Sequence, residues 1–244
     1  MTTSGTTTWS PDVAELCEEA FERAGLELRS GYDLKTARRS LNFLLTDFAN
    51  RGLNLWTIQS GTLTLVPGQK TYTTADGLPA NALDYIEHLC RTTSGGQAVD
   101  ISLNRISVST YANIPTKDQS GRPYQIYVDR ATAAPKITLW PVPDSSNTYT
   151  LVYWYIKRID DATNPVSQTL EIPWPFYNAI VSGLAYHIAL KKPEVQDRIS
   201  MLKDLADEAF QLAADENRDR SSSRFIPFVG YDFNVLLRIH PLQA

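Results

Sequence analysis

The sequence predicts an α+β chain: a helical bundle assembled from both ends of the polypeptide, an inserted antiparallel β domain, and an extended C-terminal tail. Apolar residues recur at helical spacing over 13–48 and again over 176–213. Between them, over 56–158, Thr, Val, Ile and Tyr become common and turn signals recur. An apolar segment then follows a finished helix at the end of the chain. The implied organisation is a flexible arm (1–11), a helical hairpin (12–55), the β domain (56–172), returning helices (173–217) and a docking tail (218–244).

Taken in order, the start is polar and Thr-rich, without the charged start and apolar stretch of a secretory signal, so synthesis in the cytoplasm is expected. Ser10-Pro11-Asp12 then opens a first helix with Pro in its first turn, and Val13, Leu16, Cys17, Ala20 and Ala24 form a stripe that ends before Gly25. A short link leads to GYDLKTARRSLNFLLTDFANRGLNLWTIQ, where Leu34, Ala37, Leu41, Leu44, Leu45 and Phe48 share one face. Asp33 is placed to cap this helix and Gly52 to end it. So short a link makes an antiparallel hairpin, with the two stripes facing each other.

Candidate strands follow at 56–65, 69–72, 84–92, 98–101, 124–129, 136–140 and 149–158, with a short helix at 103–112. KITLWPVPDSSNTYTLVYWYI is the clearest hairpin, since Ile137 and Leu139, then Leu151, Tyr153 and Tyr155, alternate on either side of a Pro/Asp/Ser loop. Helix returns after Pro173-Trp174-Pro175 with Phe176, Ile180, Val181, Leu184 and Ile188, until Pro193 breaks the run. Glu194 opens the last helix, striped by Val195, Ile199, Leu202, Leu205, Ala209, Leu212 and Ala213.

Past Asn217 the text becomes RDRSSSR, polar and flexible in composition, and then strongly apolar. Phe225, Ile226, Phe228, Val229, Tyr231, Phe233, Leu236, Leu237 and Ile239 amount to too much apolar surface to leave in water. The tail therefore docks, either on its own domain or on a partner.

Composition and motifs point away from chemistry. A net charge of −4 disfavours tight, phosphate-neutralising DNA binding. Apolar runs fall well short of the roughly 18 residues of a membrane span. Cys17 and Cys90 read as two buried thiols, and His88, His187 and His240 are scattered without ligand spacing, so no metal or other cofactor is expected. Gly68-Gln69-Lys70-Thr71 lacks the glycine spacing and following helix of a phosphate-binding loop. Asp144, Asp160, Asp161 and Glu171 lie in turn-like text without an apolar wall to tune them. Arg38-Arg39, Lys157-Arg158 and Lys191-Lys192 are dispersed, which suits solvated faces or subunit salt bridges. Trp140, Tyr149, Tyr153, Trp154 and Tyr155 lack interleaved basic residues, so sheet packing accounts for them better than base stacking.

The stretch GYDLKTARRSLNFLLTDFANRGLNLWTI, followed by LVPGQKTYTT, resembles the N-terminal region of the head-to-tail adaptor proteins of short-tailed phages. The order of elements resembles that family along most of the chain. The resemblance implies a virion protein without catalytic activity. It would form a closed ring of about twelve copies beneath the portal protein, carrying the tail tube or nozzle protein, with DNA passing through without sequence-specific binding. It also implies that the C-terminal segment reaches onto the portal. Rival classes are a phage-associated hydrolase, supported by the unassigned carboxylates and His187, and a DNA-binding module, which the acidic balance opposes.

Overall fold

In the computed structural model, which describes residues 5–94, 97–130, 134–163 and 168–218, helices at both ends of the chain enclose a β-rich middle. The first helix, α1 (Val13–Ala24), is capped by Asp12. The Asp12 carboxylate accepts the Glu15 N–H at 2.8 Å and the Glu15 carboxylate accepts the Asp12 N–H at 3.1 Å, which satisfies two otherwise free donors. Pro11, expected within the first turn, therefore stands before the cap. The second helix, α2 (Gly31–Asn50), is capped by Ser30 rather than by Asp33. Ser30 holds the extended backbone of a cap, so the helix starts earlier and Asp33 sits inside its first turn, where it accepts from Lys192 Nζ at 2.9 Å. Both helices end on a left-handed glycine, Gly25 (φ 82°) and Gly52 (φ 85°). Leu26 N–H then returns to Phe21 O and Leu53 N–H to Phe48 O, closing the last turn.

The stripes of α1 and α2 do not chiefly face each other. Both converge on α4 (Tyr177–Ala189), which is the most apolar of the helices and is buried on most of its circumference. Small residues make this possible: a Cβ at Gly183 would stand 2.9 Å from Leu44 Cδ1, so any larger residue there would have to push the Leu44 side chain aside. A fourth long helix, α5 (Ile199–Glu216), also lies against α4. It begins later than the expected Glu194 because Pro193–Arg198 form a 3-10 turn in which Val195 leaves helical geometry (φ −125°, ψ 24°). Leu41, Leu44 and Leu45 of α2, Ile180 and Leu184 of α4, and Leu202 of α5 share a single core with α1.

The middle of the chain forms two four-stranded sheets. The first contains β1 (Ile58–Thr64), β3 (Ala82–Ser94), β4 (Gln97–Ser102) and β8 (Thr148–Lys157) in the order β1-β8-β3-β4, every pair antiparallel. The second contains β2 (Thr71–Tyr72), β5 (Asn104–Ile106), β6 (Gln125–Asp129) and β7 (Lys136–Trp140) in the order β2-β7-β6-β5, where β5 and β6 run parallel. The expected helix over 103–112 is thus divided into β5 and a one-turn helix, α3 (Val108–Ala112), that Ser107 caps.

The expected hairpin of 136–140 with 149–158 is not formed, because β7 and β8 belong to different sheets. Its alternation is nonetheless real: Ile137 and Leu139 meet Leu151, Tyr153 and Tyr155 in the one core that both sheets share. Tyr149, Tyr153 and Tyr155 of β8 pack there as anticipated, with Tyr85 edge-on to Tyr153 at 5.3 Å, whereas Trp154 is half-buried outside that core. Asp84 on β3 joins the sheets by accepting from Arg105 of β5 at 2.9 Å. At the helical core, Trp56 packs on Phe176 at 4.4 Å between ring centres, and Asn42 of α2 is bonded through both amide atoms to the backbone of Ala162.

Candidate functional site

Where α1 and α5 flank α4, the helices leave a groove of about 430 Å³. Its floor is made of short side chains, Asn178, Ser182 and Ala185 of α4, which cannot fill the space between the flanking helices. Arg23 of α1 reaches into it, donating to Asn178 Oδ1 at 2.8 Å and Ser182 Oγ at 3.0 Å while pairing with Glu19 at 2.8 Å. Along the other wall run Met201, Leu205 and Leu212 of α5, 47%, 48% and 64% exposed.

Leu205 and Leu212 were expected inside. The structure corrects this: α5 meets α4 through the narrow face of Leu202, Ala209 and Ala213, and the two leucines lie to one side of it. The signal available in the sequence was Glu208, which sits among Met201, Leu205 and Leu212 at helical spacing and marks that face as open. Beside the groove, Trp9, Pro11, Trp174 and Pro175 line a second hollow of about 700 Å³. Trp9, within the segment read as an arm, lies edge-on to Tyr177 at 5.7 Å.

On α2 the outward face carries Tyr32, Lys35, Arg39 and Phe43, all exposed and all on one line, since positions three and four apart align along a helix. Tyr32 is 76% and Phe43 65% exposed, which a face serving only solvation does not require.

The residues that invite a catalytic reading are otherwise engaged. Lys157 Nζ pairs with Asp160 at 3.3 Å and also with Glu171, while Arg158 takes both oxygens of Asp161 at 2.8 and 3.0 Å. Asp144 accepts from the Ser146 amide and the Tyr149 hydroxyl in a turn. His88 is buried on β3, and His187 is half-buried on α4 beside Tyr186; burial lowers the pKa of each. Cys17 and Cys90 are both buried free thiols, and burial pushes that of Cys17 up to about 12. Among the basic dipeptides, Arg38 donates to Thr163 O, Lys191 reaches Ser40 on α2, and Lys192 pairs with Asp33, so they tie α2 to its neighbours. Among the described residues no three His, Cys, Asp or Glu side chains gather as a metal site would require. No helix among them is long and apolar enough to cross a membrane. Phe225 to Ile239 and His240 lie outside the described residues.

An α+β chain with open apolar helix flanks, whose tempting acids are spent on ion pairs and turns, has the make-up of a structural assembly subunit. The chain belongs to the SU10 adaptor protein family, whose sequence model matches residues 11–227. This is a phage head-to-tail adaptor family, and the match spans both cores. No curated protein matches the chain.

Proposed function

We propose that this chain is the subunit of a ring, of about twelve copies, that joins the portal of a short-tailed phage to its tail and helps retain the packaged DNA. The observation that carries the reading is the adaptor-family match over residues 11–227. Two further features support it: open apolar flanks on the helices, and an acidic balance that lets DNA pass without being gripped. In this reading the segment from Phe225 to Ile239 docks on the portal, and the opposite end of the ring receives the tail tube or nozzle protein.

Light scattering on the purified chain, alone and mixed with the portal of its phage, followed by electron microscopy of the mixture, is the test. A ring coaxial with the portal is the expected result. A chain that stays monomeric and fails to join the portal overturns the proposal.

A further inference from the structure

We infer that residues 231–240 attach as a single β-strand laid along an open sheet edge of the portal protein. This rests on the reading that the last segment docks on the portal, and adds the form in which it docks.

Side-chain order carries the strand. Tyr231, Phe233, Val235, Leu237 and Ile239 alternate with Asp232, Asn234, Leu236, Arg238 and His240, so every odd position is apolar and every even position but Leu236 is polar. In an extended chain successive side chains point to opposite faces, which gives this stretch one apolar and one polar side. Wound as a helix it has no such sides. At about 100° per residue, Asp232 falls between Ile239 and Leu236, and His240 between Leu236 and Phe233, so polar groups interrupt the apolar arc. Gly230 and Pro241 bound the run with residues that punctuate strands, and Tyr231, Phe233, Val235 and Ile239 favour a pleated surface.

A strand needs a neighbour. Its N–H and C=O groups must be paired, and its apolar side must be covered. Ten residues at about 3.3 Å each require an edge about 33 Å long. Among the described residues the edge strands of this chain are β1 and β4 in one sheet and β2 and β5 in the other, with 7, 6, 2 and 3 residues. None has the length. The longest, β1, also presents the wrong surface. Its more buried side carries Gln59, Gly61 and Leu63, and Gln59 accepts from the Tyr155 hydroxyl at 2.9 Å, so five apolar side chains would meet an amide and a bare backbone there. β4 is exposed at every position but Ile101, so neither of its faces carries an apolar cover. The edge therefore belongs to a partner. Asn217 holds the end of α5 to Gly52 O, and the twelve residues from 219 to 230 can span up to about 45 Å, enough to carry the strand clear of that end. Main-chain bonds then supply strength, while the alternating side chains set register, because a slip of one residue turns the apolar side to water.

The full-length chain mixed with the portal of its phage tests this, with binding followed by light scattering, amide exchange resolved residue by residue, and folding verified by circular dichroism. Every second amide between 231 and 240 is expected to be protected in the complex, since an edge strand turns alternate N–H groups to its partner. Leu237→Arg combined with Arg238→Leu keeps the composition but breaks the alternation, and is expected to weaken binding by about tenfold or more. One serine inserted after Phe233 is expected to do the same, and two inserted residues, which return the later side chains to their faces, to recover most of the affinity. Protection without alternation, or a one-residue insertion that binds as the wild type does, overturns the strand while leaving portal docking in place. Protection of 231–240 in the chain without portal places the strand on this chain or a second copy and overturns the inference. A wild-type chain that fails to join the portal overturns the portal reading and the strand with it.

Discussion

At the scale of single residues, burial separates side chains that hold the fold from those that could have done chemistry. Leu41, Leu45 and Phe48 are 0%, 4% and 4% exposed, so truncating any one to Ala leaves a cavity in the helical core. Chemical denaturation of each variant is expected to show a loss of roughly 2–5 kcal/mol; a loss under about 0.5 kcal/mol is the mark of an exposed site. His187→Ala, by contrast, removes packing beside Tyr186 and no reactive partner, so a folded variant is expected to assemble and support infection normally. His88 supplies a pH dependence. Burial first, then the Arg105 charge, lower its pKa against the weaker pull of Glu87 and Asp84, and its Nε2 is buried without a hydrogen bond among the described residues. The unfolded chain takes up this proton near the ordinary value of about 6.5, while the folded chain waits for a lower pH. Stability is therefore full above that value and declines as pH falls towards the lowered folded value, because there the unfolded state binds more protons. Replacing His88 with Leu is expected to flatten the difference in unfolding free energy between roughly pH 7 and 5; an unchanged slope would assign the decline to other groups.

Among elements, the α2–α4 contact is set by one missing side chain. Gly183→Leu drives its side chain into Leu44, so although leucine favours a helix by up to about 1 kcal/mol, a net loss of about 1–3 kcal/mol is expected from overpacking. Urea titration checks it, and a more stable variant would show that α2 can back away. Nothing in the sequence announces Gly183 as a contact, because the close approach depends on a helix far away in the chain. The same distinction runs through the whole reading. Local signals were legible: Gly25 and Gly52 end their helices, the stripe of α2 is buried, and β6, β7 and β8 lie where alternation put them. Pairing was not. Ile137 and Leu151 alternate correctly in both a hairpin and a two-sheet core, since period two fixes which side is buried and not which strand lies alongside. The groove was missed for a related reason. Helical spacing grouped Leu205 and Leu212 with Leu202, but the narrow contact that α5 makes with α4 covers only part of that stripe.

For the whole molecule, the portal-docking role proposed for the last segment is expected to be separable from folding, since among the described residues every member of both cores precedes 217. Deleting residues 225–244 is expected to leave a soluble chain whose thermal midpoint is nearly unchanged and whose portal binding is lost. A midpoint lowered by several degrees would instead place the segment on its own subunit. The interleaving of the two ends also dictates when the subunit can exist. Ile58 pairs with Ile156, Asn217 Nδ2 bonds to Gly52 O at 2.9 Å, and α4, the helix on which α1 and α2 rest, emerges from the ribosome after the entire β region. Long sequence separation between partners makes folding slow, because the loop must close before any contact rewards it. During synthesis α1 and α2 must wait with their apolar stripes uncovered, and those stripes are hidden only once residues beyond Ile188 have been made. Ribosome-bound fragments ending before Tyr177 are expected to be cut by protease throughout α1 and α2, and fragments reaching past Glu216 to resist. A truncated copy then has no helical core from which to offer either flank, so prematurely terminated chains are excluded from assembly by their topology alone.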